Sequence, residues 1–301
     1  KGAQPDRALQ LLDEMQRKWI TPNVITYSAA ISACEKGAQP DRALQRFDKM
    51  QRKGITPNVI TYSAAISACE KGAQPDRALQ LFDEMQRKRI TPNVITYSAA
   101  ISACEKGAQP DRALQLFDEM QRKGITPNVI TYSAAISACE KGAQPDRALQ
   151  LFDKMQRKGI TPDVITYNAA ISACEKGAQP DRALQLFDEM QRKGITPNVI
   201  TYNAAISACA RGAQPDRALK LLDEMQRKGI TPNVITYSAA ISACEKGAQP
   251  DRALQLFDKM QRKGITPDVI TYNAAISACE KGAQPDRALQ LFDEMQRKGV
   301  T

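Results

Sequence analysis

Four sets of residues in this chain have types and spacings that could do chemistry, and each recurs every 35 residues. The first is a run of eight cysteines, Cys34, Cys69, Cys104, Cys139, Cys174, Cys209, Cys244 and Cys279. Equivalent positions on successive helices stand roughly 9 to 10 Å apart, beyond the ~7 Å Cα separation a disulfide can span. There is no C-x-x-C pair and no histidine, so a zinc site lacks its usual ligands. These thiols read as small buried hydrophobes of a protein kept in a reducing compartment. The second set is the carboxylates, such as Asp118 and Glu119, which sit among Lys and Arg and read as a solvated face. Without histidine, Ser-His-Asp triads and the H-x-E deaminase site are excluded, and no Gly-rich phosphate loop is present. No catalysis, cofactor, metal or small-molecule substrate is expected. The third set is a base in every copy: Lys36, Lys71, Lys106, Lys141, Lys176, Arg211, Lys246 and Lys281. The fourth is a pair of positions that change while their surroundings are frozen, one Ser or Asn, the other Asn or Asp. A carboxylate only accepts hydrogen bonds, whereas an amide also donates, so this pair can discriminate between hydrogen-bonding partners.

The elements that carry these residues follow from one unit, Val94 to Asn128, VITYSAAISACEKGAQPDRALQLFDEMQRKGITPN. Complete copies span 24–58, 59–93, 94–128, 129–163, 164–198, 199–233 and 234–268, with a partial copy over 1–23 and a truncated one over 269–301. Tyr97, Ala100, Ile101 and Cys104 share one face of a helix that Gly107 ends. Pro110 suits the first position of a second helix, and Asp111 favours its positive end. Ala113, Leu114, Phe117 and Met120 form its apolar stripe. Arg122 and Lys123 complement the carbonyl end, and Gly124 can supply a left-handed cap. Ile125-Thr126-Pro127-Asn128 is then a connector. A strict period of this length predicts an all-α chain, an α-solenoid of helix pairs in one continuous array. At about 8 to 10 Å per neighbouring helix, seven or eight pairs predict an elongated body of about 70 Å, with the first helix of each pair lining the inner surface.

V-x-T-Y-N/S near the start, A-L-x-L-F-x-E-M in the second helix and K-G-I-x-P-N/D at the end resemble the pentatricopeptide repeat, whose length is also 35, over the whole chain, with single replacements in some copies. The resemblance implies a right-handed superhelix that binds single-stranded RNA in an organelle, chloroplast or mitochondrion, reading one base per repeat. It assigns base selection to the fifth and last residues, the two that vary. Those pairs are Ser28/Asn58, Ser63/Asn93, Ser98/Asn128, Ser133/Asp163, Asn168/Asn198, Asn203/Asn233 and Ser238/Asp268, with Asn273 unpaired. It assigns base sandwiching to Ile25, Ile60, Ile95, Ile130, Ile165, Ile200, Ile235 and Ile270, where core packing is the other reading. It places the basic thirteenth residues, Lys36 to Lys281, near phosphate, where helix-end charge is the other reading. By the family's code the target is 5′-AAAGCCG followed by C or U, with the protein N-terminus at the RNA 5′ end. Polar residues at the variable pair also suit a helix start and a turn, which accounts for their polarity but not for their variation.

The formal net charge is +9, although the unit itself is neutral, with Glu105, Asp111, Asp118 and Glu119 balancing Lys106, Arg112, Arg122 and Lys123. The excess comes from single replacements: Lys49, Lys154 and Lys259 stand for Glu, Arg46, Arg89 and Lys220 for neutral residues, and Ala210 removes a Glu. A basic balance favours a polyanionic partner or simply a soluble surface. Residues 129–163 are identical to 234–268, which points to block duplication. The chain opens and closes within a repeat, so it reads as an excerpt whose uncapped ends offer a route to self-association. No targeting segment is expected within it. The apolar-looking stretch Val94 to Cys104 is about half of what spans a bilayer, so no membrane association is expected. Two alternatives stand beside RNA binding: a protein-interaction scaffold of the tetratricopeptide type, and an engineered consensus array.

Overall fold

The computed structural model describes residues 4–300. Among them every regular element is an α-helix of 13 residues. The first helices of the repeats are α2 (Val24–Lys36), α4 (Val59–Lys71), α6 (Val94–Lys106), α8 (Val129–Lys141), α10 (Val164–Lys176), α12 (Val199–Arg211), α14 (Val234–Lys246) and α16 (Val269–Lys281). The second helices are α1 (Pro5–Arg17), α3 (Pro40–Arg52), α5 (Pro75–Arg87), α7 (Pro110–Arg122), α9 (Pro145–Arg157), α11 (Pro180–Arg192), α13 (Pro215–Arg227), α15 (Pro250–Arg262) and α17 (Pro285–Arg297). Within each unit first helices pair with the second helices that follow them, as α6 with α7 and α14 with α15, and first helices stack on one another, as α4 on α6 and α12 on α14. This is an α-solenoid of helical hairpins. The chain gathers into two compact units, one of residues up to 144 with 151–161, the other of 145–150 with the residues from 162 on. No helix among the described residues is long and apolar enough to cross a membrane.

Local chemistry sets the ends of both helices. Pro opens every second helix with Asp beside it, where a missing N–H costs nothing and negative charge meets the helix dipole. The last residue of each repeat, in extended backbone, caps the following first helix. Gly124 takes φ 72° as the left-handed C-terminal residue, and Arg89 adopts φ 59° at the same position of its repeat. At the other turn the left-handed residue is an alanine, Ala108 at φ 49°, while Gly107 keeps φ −85°. Gly107 serves close approach instead: a Cβ there would stand 3.1 Å from Pro75 of the preceding repeat, and at Gly142 only 2.3 Å from Pro110.

The core is one layer repeated. Tyr97, Ala100, Ile101 and Cys104 are fully buried, as their spacing requires. In the second helix the expected stripe is corrected by one residue: Leu116 is buried beside Ala113, Phe117 and Met120, and Leu114 only half so. Helix α7 touches both α6 and α8, so its apolar face is wider than a single-partner stripe. Phe117 meets Tyr132 of the next repeat edge to face, centroids 4.9 Å apart, as Phe82 meets Tyr97 at 5.1 Å. All eight cysteines are buried, and burial pushes the Cys104 thiol up to about 12.

The carboxylates read as a solvated face divide in two. Asp118 is exposed, but Glu119 is half-buried and its Oε1 accepts from Tyr97 Oη at 2.9 Å, Gln86 Nε2 at 2.7 Å and Lys123 Nζ at 2.7 Å. Burial alone would raise its carboxyl, yet those three donors hold it below the usual carboxylate range.

Candidate functional site

The two variable positions of a repeat lie 30 residues apart in sequence and are joined by a third residue, the threonine three places into the next repeat. Asn58 ends its repeat half-buried, and its Oδ1 accepts from the backbone N–H of Thr61 at 3.0 Å and from the Thr61 hydroxyl at 3.0 Å. The N–H of Asn58 returns a bond to Thr61 Oγ1 at 3.2 Å, completing a capping box. Ser28, the fifth residue of the same repeat, lies 2.7 Å from that Thr61 hydroxyl. A hydroxyl has one proton, so with Thr61 donating to Asn58, Ser28 donates to Thr61. The same chain links Ser63, Thr96 and Asn93 at 2.9 and 2.9 Å, and Ser98, Thr131 and Asn128 at 2.8 and 3.0 Å.

Asparagine at the fifth position closes the chain into a ring. Thr201 Oγ1 donates to Asn168 Oδ1 at 2.6 Å and lies 3.1 Å from Asn198 Oδ1, and Asn168 Nδ2 reaches Asn198 Oδ1 at 3.4 Å. Asn203, Thr236 and Asn233 repeat that geometry at 2.6, 3.0 and 3.3 Å. Where the last residue is aspartate, the threonine bond shortens: Thr271 Oγ1 donates to Asp268 Oδ1 at 2.6 Å, as expected for a charged acceptor. Ser238 touches the Thr271 hydroxyl, stands 3.4 Å from Asp268 Oδ1 and lies 2.8 Å from the Val234 carbonyl, three acceptors for its single proton. Asp163 caps α10 in the same way, at 2.9 Å to the Thr166 N–H, and Ser133 bonds the Val129 carbonyl at 2.8 Å. Asn273 is exposed.

In every copy the helix cap consumes one side-chain oxygen, so Asn and Asp differ only in the atom left over. Asn keeps an amide donor, Nδ2, and Asp keeps a carboxylate acceptor, Oδ2. The capping threonines Thr61, Thr96, Thr201, Thr236 and Thr271 are fully buried. They were not among the residues singled out from sequence, although the N-x-x-T or D-x-x-T spacing at each repeat boundary is a helix-start signature.

Beside this pair runs a ladder of exposed apolar side chains. Ile25, Ile60, Ile95, Ile130, Ile165, Ile200, Ile235 and Ile270 are all exposed, from 55 % at Ile235 to 73 % at Ile25, so the core-packing reading of these residues does not hold. A groove between successive connectors brings Asn93 and Asn128 to one surface with Pro92, Val94, Ile125 and Lys123, and its counterpart carries Asn58, Pro57, Val59 and Lys88.

The basic thirteenth residues form a different ladder. Lys106 pairs with Glu70 of the preceding repeat at 2.8 Å, Lys141 with Glu105 at 2.8 Å, Arg211 with Glu175 at 2.6 Å, Lys281 with Glu245 at 2.6 Å, and Lys71 with Glu35. Lys246 stands opposite Ala210 and makes no ion pair among the described residues. Lys36 and Lys176 are exposed helix-terminal residues of the same kind.

These features define a helical-hairpin repeat protein with one variable polar pair per repeat beside an exposed apolar rung, its serine members buried and its last residues half-buried or, at Asn128 and Asp163, exposed. Residues 131–298, more than half of the chain, match the family described as the pentacotripeptide-repeat region of PRORP, and 10–72, 47–107 and 80–142 match the pentatricopeptide repeat domain. The chain belongs to the pentatricopeptide repeat family. Its fold is similar to that of the pentatricopeptide repeat protein PPR10 from maize, at TM-score 0.57 and 21% identity over 99% of this chain and 52% of that one. The complex of PPR10 with an 18-nt psaJ RNA element matches at TM-score 0.58 and 21% identity, covering 99% of this chain and 53% of the other. The PPR domain of Arabidopsis thaliana protein-only RNase P 1 in complex with tRNA matches at TM-score 0.52 and 16% identity, over 66% of this chain and 96% of that one. At these identities the likeness is one of fold, and the chain spans about half the length of PPR10. No curated protein matches it in sequence.

Proposed function

We propose that this protein binds single-stranded RNA sequence-specifically, one base per repeat, and acts by occupying its target in organellar RNA stabilisation, processing or translation. The observation that carries the reading is the variable pair itself. Its two members are wired together through a buried threonine, and the wiring leaves one polar atom whose sign alone changes between Asn and Asp. An Oδ2 acceptor suits a base edge that presents a ring N–H, G or U, and an Nδ2 donor suits the bare ring nitrogen of A or C. At the fifth position short Ser leaves room for a purine, and longer Asn reaches a pyrimidine. The exposed Ile ladder supplies apolar faces against which bases can stack, and a hydrogen-bonded base reading is worth about 1–3 kcal/mol of discrimination. Two proteins of similar fold, PPR10 and protein-only RNase P 1, have been solved with RNA, which supports the same class of partner here.

On this reading the seven complete pairs select 5′-AAAGCCG, followed by a pyrimidine at Asn273. The thirteenth-residue bases reach phosphate by exchanging their acidic partners, Lys246 most readily because Ala210 offers it none. Titration of labelled AAAGCCGU tests the proposal. Binding that weakens steeply with salt, and no binding of peptides, is expected; peptide binding without RNA binding would favour an interaction scaffold.

A further inference from the structure

Three copies lack the acid that organises the others. In ordinary repeats one carboxylate oxygen collects three donors: Glu84 Oε1 accepts from Tyr62 at 2.9 Å, Gln51 at 2.9 Å and Lys88 at 2.7 Å, and Glu224 Oε1 from Tyr202 at 2.9 Å, Gln191 at 2.9 Å and Lys228 at 2.6 Å. In the copies carrying Lys49, Lys154 and Lys259 the donors remain and the acceptor is gone. Tyr27 Oη, Gln16 Nε2, Gln121 Nε2, Tyr237 Oη and Gln226 Nε2 are buried and make no well-formed hydrogen bond; Gln16 lies beside Tyr27 and Gln226 beside Tyr237, and the hydroxyl protons are left with no acceptor. A buried donor without a partner costs its desolvation in full, so this arrangement favours a ligand that accepts.

Charge points the same way. Each exchange replaces a negative group by a positive one, and the lysine four residues on, Lys53, Lys158 or Lys263, loses the carboxylate that neutralises Lys88 and Lys123 elsewhere. Lys154 sits with its Nζ 5.5 Å from the Phe117 ring centroid. At the first site Arg46 adds a further cation, which Asp13 opposes at 3.6 Å. At the third, Lys259 and Gln226 both face Tyr237.

We infer that each of these three copies binds a phosphate-class oxyanion, one oxygen standing where Glu Oε1 stands elsewhere, with the buried Tyr and Gln donating and the two lysines supplying counter-charge. The place is reachable from solvent, since the carboxylates that occupy it in other repeats keep 29 % exposure at Glu84 and 24 % at Glu189. The inference stands whether or not the protein reads RNA. The other copies supply the control: Lys49→Glu, Lys154→Glu and Lys259→Glu restore the side chain that Glu84 and Glu119 already place in this fold.

The test is equilibrium dialysis of the full chain against inorganic phosphate at fixed ionic strength, with the melting temperature followed alongside. Wild type is expected to retain about three phosphates and to gain stability as phosphate rises. The triple Glu variant should retain none at these sites, and its melting temperature should exceed that of wild type in phosphate-free buffer. Lys259→Glu alone should lower the retained count by about one, which keeps the test decisive should the triple variant fold poorly. Addition of RNA then separates the two sources of the oxyanion: released phosphate means that the nucleic-acid backbone takes the sites, and retained phosphate means that they serve free anion. Equal phosphate retention by wild type and variants, or no retention by wild type because water satisfies the donors, would overturn the inference.

Discussion

The hydroxyl of Thr96 lies 2.9 Å from Asn93 Oδ1, and the same hydroxyl lies 2.9 Å from Ser63. One buried atom thus holds together the two variable side chains of a repeat, from a position in the next repeat. Thr96→Val keeps the shape and removes this bridge along with the bond that Thr96 Oγ1 accepts from the Asn93 N–H, while the Thr96 N–H still donates to Asn93 Oδ1. About 1 kcal/mol of stability should be lost, the typical net worth of a hydrogen bond. Base discrimination at that repeat alone should weaken, with the remaining repeats unchanged. Thermal melts and RNA variants at the second base check both parts.

Acid should loosen the array through the half-buried carboxylates. Glu84, Glu119, Glu224 and Glu294 titrate below the ordinary glutamate range because Lys, Gln and Tyr donate to them against the opposing effect of burial. Groups depressed in the folded state add stability above their unfolded value, about 4.3, and that stability is lost as pH falls through the lower folded values. Glu119→Gln should therefore reduce stability at neutral pH and flatten its decline below about pH 4.3. Chemical denaturation as a function of pH measures this, and a decline as steep as that of wild type would remove Glu119 from the account.

Two glycines should be costly to replace for different reasons. Gly142→Ala puts a Cβ 2.3 Å from Pro110 and forces neighbouring repeats apart, whereas Gly124→Ala meets nothing within 4 Å and pays only for φ 72°. The second should cost about 1–2 kcal/mol, the left-handed penalty, and the first more. Hydrogen exchange across α7 and α8 should rise for Gly142→Ala and stay near wild type for Gly124→Ala.

Cysteine reactivity should report unfolding and not native exposure. Cys69, Cys174, Cys209 and Cys244 are buried, with thiols pushed up to about 11, so little thiolate exists at neutral pH. A thiol reagent should label them only in denaturant. Fast labelling in native buffer would contradict the packing described for the first helices.

Much of the fold was legible because one unit carries all its punctuation: Pro110 and Asp111 open a helix, Gly124 closes it, and Tyr97 to Cys104 mark a buried face. What escaped was whatever depends on a neighbour. Leu116 was displaced in favour of Leu114 because a helix packed between two partners buries a wider face than one spacing shows. Glu119 looked solvated because the Tyr97 hydroxyl that claims it comes from 22 residues earlier. Thr96 escaped because its role appears only when the following repeat is laid against Ser63, 33 residues away. The variable pair itself was visible, since comparing copies needs no geometry.

The central claim is that the free atom of the last residue selects the base, and Asp268 offers the cleanest test. Its Oδ1 is committed to Thr271, so Asp268→Asn keeps the cap and exchanges only the remaining acceptor for a donor. Wild type and Asp268→Asn should be titrated against AAAGCCGU and AAAGCCAU. Wild type should prefer G at the seventh base and the variant A, each by about 1–3 kcal/mol. Equal affinity of both proteins for both RNAs would contradict the account.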